Sequence, residues 1–243
     1  MKIYYYCKEY LIVIDLKMKT LDCTRCDIKS SAAKTLNVTE LKIMGENCSE
    51  VRFKKGEVIF KQDALSSNIV YLKKGLVKIH IAGPSAEQII KISKPPTYLG
   101  IPTTFDEKTN RYSATALEET TVCFISLDMF KQFIRGNPNF SYEIIVGLCK
   151  SELNSFNSTV NRAQKNINGR IADVLIFFYQ DIFKNIEFRL PLTRSEFGSF
   201  VDTTRESVSR ILTKLHEDKI VRLDGRKIKL LDTERLESIS KNG

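Results

Sequence analysis

Short apolar stretches alternate with glycine turns between about Val51 and Leu127. The stretches VRFKKGEVIF, IVYLKKGLVKIHI, EQIIKI and TTVCFISL are rich in Val, Ile, Tyr, Phe and Thr, the residue types that favour strands. Turn residues separate them at Lys55-Gly56, Lys74-Gly75 and Ala82-Gly83-Pro84. Strands of this length and spacing predict an antiparallel barrel or sandwich.

A long helical pattern begins at Asn137-Pro138 and continues to about Asn166 without a further proline. It predicts a helix of about 40 Å, which is longer than a small barrel needs to cover it. Its apolar positions recur at intervals of four, three, four and three residues: Cys149, Leu153, Phe156, Val160 and Ala163. That spacing is typical of a two-helix seam, so we interpret the stripe as a dimer seam. The alternative is a helix that lies on its own domain.

The last third of the chain has the pattern of a helix-turn-helix. An apolar helix is predicted first, over residues 169–183. Thr193 with Glu196, and Thr203 with Glu206, then repeat the spacing of a capping box, in which a hydroxyl and a carboxylate satisfy the backbone amides of a helix start. A tight link around residues 201–202 separates the two predicted helices.

The second of these helices has one apolar and one polar face. Val208, Ile211, Leu212 and Leu215 follow helical spacing and are predicted to face the core. The outward face then carries Arg205, Glu206, Ser209 and Arg210. Arginine bonds guanine bidentately and glutamate accepts from cytosine, so these residue types at the start of one helix predict base contacts in a major groove. The alternative is a solvated face on which Glu206 only caps the helix.

The stretch VRLDGRKIKLL predicts a hairpin with a type I′ turn at Asp224-Gly225. Its Arg226 and Lys227 suit a wing beside a phosphate backbone. Four residues at the helix starts complete the predicted DNA-binding set: Thr193, Arg194, Thr203 and Thr204. The formal charge of +9, from 38 Lys and Arg against 29 Asp and Glu, fits a polyanionic partner, and by itself it fits a solvated basic surface equally well.

The segment LTRSEFGSFVDTTRESVSRILTKLHEDKIVRLDGRKIKLLD resembles the winged helix-turn-helix of the CRP/FNR family of bacterial transcription regulators. FKKGEVIFKQD, VYLKKGLVKIHI and the long helix resemble that family's cyclic-nucleotide-binding-type barrel and dimerisation helix. The resemblance implies a homodimer on a palindromic double-stranded operator, with RNA polymerase as a further partner. One departure is Asp202, where the family's turn often has glycine; Asp tolerates the left-handed conformation.

The fold expected on these grounds is α+β, in four parts. Residues 1–39 are an N-terminal extension with a CxxC motif, and residues 40–136 are a cyclic-nucleotide-binding-like antiparallel β-barrel (jelly roll) that acts as sensor. Residues 137–167 are the dimerisation helix, and residues 168–243 are the winged helix-turn-helix.

The resemblance also locates an effector pocket. Nucleotide-binding members hold phosphate and ribose with a Gly-Glu-Leu turn and an Arg-Ser pair; this chain has Gly100-Ile101-Pro102 and Arg111-Tyr112 there. Loss of the carboxylate that accepts from the ribose would cost about 1–3 kcal/mol, so we expect no response to cyclic AMP.

The cysteines suggest another signal. Oxygen-sensing members of the family bind a four-iron cluster through four cysteines, and Cys23, Cys26 and Cys123 match three of them. Ala32 stands at the place of the fourth cysteine, which is the third along the chain. Cys48, Cys7 or a residue other than cysteine is the substitute ligand in this interpretation. A zinc site, a thiol-disulfide switch or cysteines without a role are the alternatives.

Other classes of protein fit the sequence less well. The two histidines, His80 and His216, are far apart, and the chain lacks a nucleophile-base arrangement, a phosphate loop and an HExxH motif, so an enzyme is not expected. No apolar run approaches the roughly 18 residues of a membrane span, and six cysteines without an export signal favour the cytoplasm. A constitutive regulator, or a sensor module that docks protein, stays open as an alternative.

Overall fold

The computed structural model describes the backbone of residues 3–7, 10–14, 21–84, 86–106 and 108–243. Its elements are of mixed type, which confirms the predicted α+β class. The elements that precede the main sheets are a hairpin of β1 (Ile3–Cys7) and β2 (Tyr10–Ile14), a 3-10 turn (Cys23–Arg25), α1 (Ser31–Lys34) and α2 (Val38–Glu46).

Eight strands and one helix follow in chain order: β3 (Cys48–Phe53), β4 (Val58–Phe60), β5 (Asn68–Lys74), β6 (Val77–Ala82), β7 (Glu87–Ser93), β8 (Thr97–Leu99), α3 (Ile101–Asp106), β9 (Ser113–Ala116) and β10 (Thr120–Ser126). They form two antiparallel sheets, in the orders β3-β10-β5-β8 and β4-β9-β6-β7. The predicted jelly-roll topology is confirmed, but the sheets do not close into a barrel, because strands at the end of each order leave an edge.

Sheet packing explains the burial pattern of these strands. Apolar side chains from the facing sides of the two sheets form one core, which includes Val70, Leu72, Ile79 and Val122. The other side of β5 and β10 is covered by helices, so Ile69, which is fully buried, packs with their side chains. Because β5 is buried on both faces, it appears in the sequence as a continuous apolar run rather than an alternation.

Helix α4 (Leu127–Gly136) leads directly into the long helix α5 (Pro138–Gln164). Asn137 separates them: its side-chain oxygen accepts from the amide of Phe140, and Pro138 takes the first helical turn, where no amide partner is needed. The 27-residue helix agrees closely with the predicted one. Only its first turns, at Phe140 and Ile144, are buried in the sensor core.

The helices and strands of the C-terminal part are α6 (Ile167–Phe177), β11 (Glu187–Arg189), α7 (Arg194–Val201), α8 (Arg205–Glu217), β12 (Val221–Asp224), β13 (Lys227–Leu230) and α9 (Thr233–Asn242). The apolar helix expected over 169–183 begins two residues earlier and changes to a π-helical turn over Phe178–Phe183. No helix among the described residues is long and apolar enough to cross a bilayer.

The sensor sheets and the C-terminal part share an apolar core and several polar contacts. Leu76, Ile89 and Ile92 of the sensor pack in the same cluster as the helix-turn-helix core. The Ser199 hydroxyl of α7 accepts from the Ile89 amide at 2.9 Å and donates to the Glu87 carbonyl at 2.8 Å. Strand β7 therefore holds the first helix of the helix-turn-helix.

Candidate DNA-binding interface and sensor sites

Helix α7 begins with the capping box that the sequence predicts. The Thr193 hydroxyl accepts from the Glu196 amide at 3.1 Å, and Glu196 accepts from the Thr193 amide at 2.8 Å. Arg194 follows, half-buried, and donates from Nη2 to the carbonyl of Gly225 at 3.0 Å. Burial, and then the charge of Arg226, lower the pKa of Arg194. Thr193 and Arg194 thus lie at one end of the helix-turn-helix, and Arg194 is joined to the wing.

The turn between the helices depends on Gly198 and Asp202. Asp202 ends α7 in the left-handed conformation, with φ 57° and ψ 57°, as its tolerance for that region predicts. Asp202 Oδ2 lies 3.8 Å from Arg170 Nη1, so the acidic residue at the place of the family's glycine has a cationic partner in α6. A Cβ on Gly198 would lie 2.6 Å from the Thr203 carbonyl oxygen, so this close approach of the two helices needs glycine.

Helix α8 starts one residue later than the sequence predicts. Its N-cap is Thr204, whose hydroxyl accepts from the Ser207 amide at 3.2 Å. The predicted capping box of Thr203 with Glu206 is therefore wrong. The reason lies in the turn: Thr203 donates its amide to the Gly198 carbonyl at 2.9 Å and still belongs to the end of α7. Glu206 lies exposed in the first turn of α8, where its charge suits the helix dipole.

The two faces of α8 divide as the sequence predicts. Val208, Ile211, Leu212 and Leu215 are all buried. Arg205, Glu206 and Arg210 are exposed on the opposite side. Ser209 is partly buried, and its hydroxyl donates to the Arg205 carbonyl at 3.0 Å. The predicted base-reading residues therefore share one face at the N-terminal end of α8, which is the geometry that a major-groove helix needs.

The predicted wing forms, with a different turn. Strands β12 and β13 pair from Asp224 opposite Lys227, so the loop residues are Gly225 and Arg226 rather than Asp224 and Gly225. Of these two only Gly225 has a positive φ, 55°, which fits a type II′ turn and not the predicted type I′. A type II′ turn needs a positive φ only at its first loop position, and Gly225 supplies it. The two-residue loop therefore begins one residue later than the sequence predicts.

One predicted phosphate contact already has a partner. Lys227 Nζ forms an ion pair with Glu187 of β11, and Lys229 Nζ lies 3.8 Å from the same carboxylate. The hydrogen bond to Glu187 raises the pKa of Lys227, and the pKa of Glu187 is lowered in turn. Both groups face solvent, so an approaching phosphate can replace the carboxylate at small cost.

The proposed seam of α5 is exposed. Leu153, Phe156 and Val160 are 60%, 56% and 49% exposed, and Cys149 is also exposed. Tyr142 and Ile145 extend the same stripe toward the start of the helix. The sensor domain of the chain therefore does not cover these side chains, and the stripe is an apolar patch of the kind that marks an interface.

The region of the predicted effector pocket is occupied by a tyrosine. The Tyr112 hydroxyl accepts from the amide of Gly100 at 2.9 Å, and its ring packs 5.5 Å from that of Phe60. Burial raises the pKa of Tyr112. Ile101 is buried at the start of α3, whereas Arg111 is exposed in the segment before β9. Tyr112 thus uses the Gly100 amide, one of the backbone donors of this turn.

Four cysteines meet beside the sensor sheet. Cys23 and Cys26 of the N-terminal CxxC line a cavity of about 230 Å³ together with Cys123 of β10 and Lys73 of β5. Cys48, at the start of β3, is buried behind them, with its sulfur 3.7 Å from that of Cys23. The sequence named Cys48 only as one of two substitute ligands, since it lies 25 residues from Cys23 in the chain, and the structure places it beside Cys23.

This group does not fit the four-iron cluster implied by the resemblance. Each thiolate of such a cluster bonds a different iron, whereas the sulfurs of Cys23 and Cys48 are in direct contact. Ala32, at the place of the fourth cysteine, is buried in the core. Within the described ranges, no three His, Cys, Asp or Glu side chains are arranged to hold a metal ion. The assignment of Cys23, Cys26 and Cys123 as metal ligands stays a prediction.

Comparison with known proteins agrees with this architecture. The family model for the cyclic nucleotide-binding domain matches residues 50–137, and that for the Crp-like helix-turn-helix domain matches residues 169–239. The transcriptional activator protein Anr of Pseudomonas protegens is 24% identical over 204 residues, 82% of this chain and 83% of its own length.

The fumarate and nitrate reduction regulatory protein of Yersinia pestis is 26% identical over 233 residues, 91% of both chains. The structure of FixK2 from Bradyrhizobium japonicum has the same fold, with a TM-score of 0.72, 20% identity, and coverage of 79% of this chain and 96% of that chain. Two matched domains, joined by the long helix, with the wing inside the second of them, lead to one conclusion: the chain belongs to the CRP/FNR family of DNA-binding transcription regulators.

Proposed function

We propose that this regulator binds a palindromic operator as a homodimer and reads bases with the N-terminal end of α8. The observation that carries the proposal is the division of α8: its apolar side is buried, and Arg205, Glu206 and Arg210 are exposed together. Thr193, Arg194, Thr203, Thr204, Ser209, Arg226 and Lys227 are the supporting DNA contacts in this proposal. Most protein–DNA hydrogen bonds go to phosphates and fix the register, while the few base contacts supply specificity.

The exposed stripe on α5 supports the homodimer. A parallel pair of these helices would bury Leu153, Phe156 and Val160 and bring two copies of α8 to one face of the assembly. Two recognition helices related by a two-fold axis contact half-sites about 34 Å apart. RNA polymerase is the further partner expected for such a regulator, by analogy with relatives named as transcriptional activators.

The test compares one base-reading variant with one control. Operator fragments selected from a random DNA pool are titrated with wild type, Arg205→Ala and Lys42→Ala, and anisotropy is measured at several salt concentrations. Lys42 is exposed on α2, so its loss removes the same charge away from α8. Arg205→Ala is expected to weaken operator binding by about 1–3 kcal/mol and to relax one base position. Equal losses on operator and random DNA would contradict base reading.

We infer that cyclic AMP is not the signal of the sensor domain. The Tyr112 hydroxyl already accepts the hydrogen bond of the Gly100 amide. The turn also has Ile101 at the place of the carboxylate that would accept from a ribose hydroxyl. Calorimetry with cyclic AMP is expected to give no heat of binding at micromolar ligand; saturable micromolar binding would reject the inference. The proposed signal is redox chemistry at the sensor cysteines, which biases two arrangements of the α5 pair.

A further inference from the structure

Cys23 and Cys48 bring together two segments that the sequence separates. Cys23 lies in the 3-10 turn over Cys23–Arg25, and Cys48 starts β3. Their sulfurs are 3.7 Å apart, and Cys48 is buried while Cys23 is partly exposed. A disulfide needs the sulfurs about 2.05 Å apart, so a movement of less than 2 Å would join them. The turn is short and at the surface, so it can supply that movement.

Cys123 is the competing partner for Cys48, because its thiol also hydrogen-bonds to that of Cys48. Strand register nevertheless disfavours a disulfide between these two. In the β3–β10 ladder Cys123 is opposite Glu50, and Cys48 is opposite Ile125. The two cysteines are therefore diagonal neighbours on adjacent strands, where Cα atoms lie about 7–8 Å apart. A disulfide accepts Cα separations of about 4.4–6.8 Å, so this pair would have to distort the ladder. Cys23 lies in a 3-10 turn outside the strands, so no ladder fixes its distance from Cys48.

The surroundings of Cys23 favour its thiolate. A hydrogen bond from Cys48 and the charge of Lys73 lower the pKa of Cys23 and of Cys123 alike. Exposure distinguishes the two thiols, because Cys23 is partly exposed and Cys123 is buried. Lys73 also pairs with Glu50 at the same cavity. The cavity that Cys23, Cys26 and Cys123 line includes the exposed residues Arg25 and Asp27, so a small oxidant can reach the Cys23 sulfur from solvent. A partly exposed thiolate beside a cation is the usual setting of a reactive cysteine.

We propose that Cys23 and Cys48 are a reactive dithiol that a hydroperoxide oxidises to an intramolecular disulfide. The Cys23 thiolate attacks a peroxide oxygen, and the O–O bond breaks to leave a sulfenic acid and, with hydrogen peroxide, one water. The Cys48 sulfur then attacks the Cys23 sulfur, and the sulfenic oxygen leaves as a second water. Two thiols are oxidised by two electrons, and one hydrogen peroxide is reduced to two waters.

This inference deepens the proposed redox input, and its readout is a covalent bond that does not depend on DNA binding. The full chain, reduced and desalted without oxygen, is treated with equimolar hydrogen peroxide, alkylated with N-ethylmaleimide and digested with trypsin. Cleavage after Arg25 separates Cys23, on TLDCTR, from Cys26, on CDIK, and Cys48 lies on IMGENCSEVR. The expected product is TLDCTR linked to IMGENCSEVR, which a reductant releases.

Three variants make the result specific. Cys48→Ser and Cys23→Ser are expected to abolish the linked peptide, and in Cys48→Ser the Cys23 sulfenic acid is expected to react with dimedone. Cys26→Ser is the matched control, because it removes a thiol from the same cavity and should leave the link intact. A link from Cys48 to Cys123 or from Cys23 to Cys26 would overturn the proposal. Alkylation of all six cysteines after peroxide treatment would also overturn it. So would a protein that binds stoichiometric zinc or iron and forms no disulfide with peroxide once the metal has been removed.

Discussion

Lys78 of β6 and Glu196 of α7 form an ion pair, with Lys78 Nζ 3.0 Å from Glu196 Oε1. The other oxygen of that carboxylate closes the capping box of α7 through the Thr193 amide. One side chain therefore both starts the helix-turn-helix and joins it to the sensor sheet. The side chains of Lys78 and Glu196 are only 12% and 26% exposed, so water and salt screen the pair less than a surface ion pair.

The first prediction concerns this pair. A double-mutant cycle of Lys78→Met and Glu196→Gln is expected to give a coupling of about 1 kcal/mol in the free energy of urea unfolding. Glutamine keeps the acceptor that the capping box needs, so the cycle isolates the ion pair. The control cycle uses Lys42→Met, which is exposed and distant from α7, and should be additive. A coupling no larger than that of the control would show that the pair adds nothing.

The second prediction concerns pH. Burial acts to raise the pKa of Glu196, but the Thr193 amide and Lys78 outweigh it, and the pKa of Glu196 is lowered. Its stabilisation is therefore present above the unfolded value of about 4.3 and is lost as pH falls through the folded value. Urea unfolding between pH 7 and pH 3 should show a smaller loss of stability in Glu196→Gln than in wild type. Parallel curves for the two proteins would contradict this assignment.

The third prediction concerns the contact between α7 and α8. Gly198→Ala would place a Cβ 2.6 Å from the Thr203 carbonyl oxygen, a backbone atom that cannot move aside alone. We expect a loss of about 1–3 kcal/mol in stability and a weakened operator complex. Gly147→Ala is the matched control in α5, where a Cβ meets nothing within 4 Å; it should be neutral or stabilising by up to about 1 kcal/mol. Thermal unfolding and anisotropy measure the two effects, and equal behaviour of the variants would reject the clash.

The fourth prediction concerns the seam. Phe156→Glu puts a charge in the middle of the exposed stripe, so two helices could pair there only by burying carboxylates. Light scattering is expected to show monomers for Phe156→Glu and dimers for wild type. Asn154→Glu, two residues away and off the stripe, adds the same charge and should stay dimeric. If Phe156→Glu is still a dimer, the interface does not lie on this stripe.

Local sequence predicted the elements with one clear physical pattern. Glycine turns with positive φ at Gly56 and Gly75 separate strands where the sequence predicts them. The long helix was visible from its cap at Asn137 to its end, because no strand pattern or further proline interrupts it and Gly147 is its single glycine. The short strands β8 and β9 and helix α4 were not predicted, since three to ten residues carry little periodic signal.

The helix-turn-helix shows where such reasoning stops. Thr203 and Thr204 are both good caps by residue type, and the sequence favours Thr203 because Glu206 completes a box with it. The hydrogen bond from the Thr203 amide to the Gly198 carbonyl keeps Thr203 in the turn, so Thr204 becomes the N-cap of α8. The choice depends on how closely two helices approach, which is a property of packing and not of either helix.

By itself, the sequence determined the division into strands, long helix and winged helix-turn-helix, and the polar face of α8, because hydrophobic periodicity fixes which side of an element is buried. Only the tertiary structure decided that Tyr112 accepts from the Gly100 amide, that Lys78 pairs with Glu196, and that the sulfur of Cys48 lies against that of Cys23. These contacts join residues 12 to 118 positions apart, and their geometry follows from sheet register and packing, which no local pattern encodes.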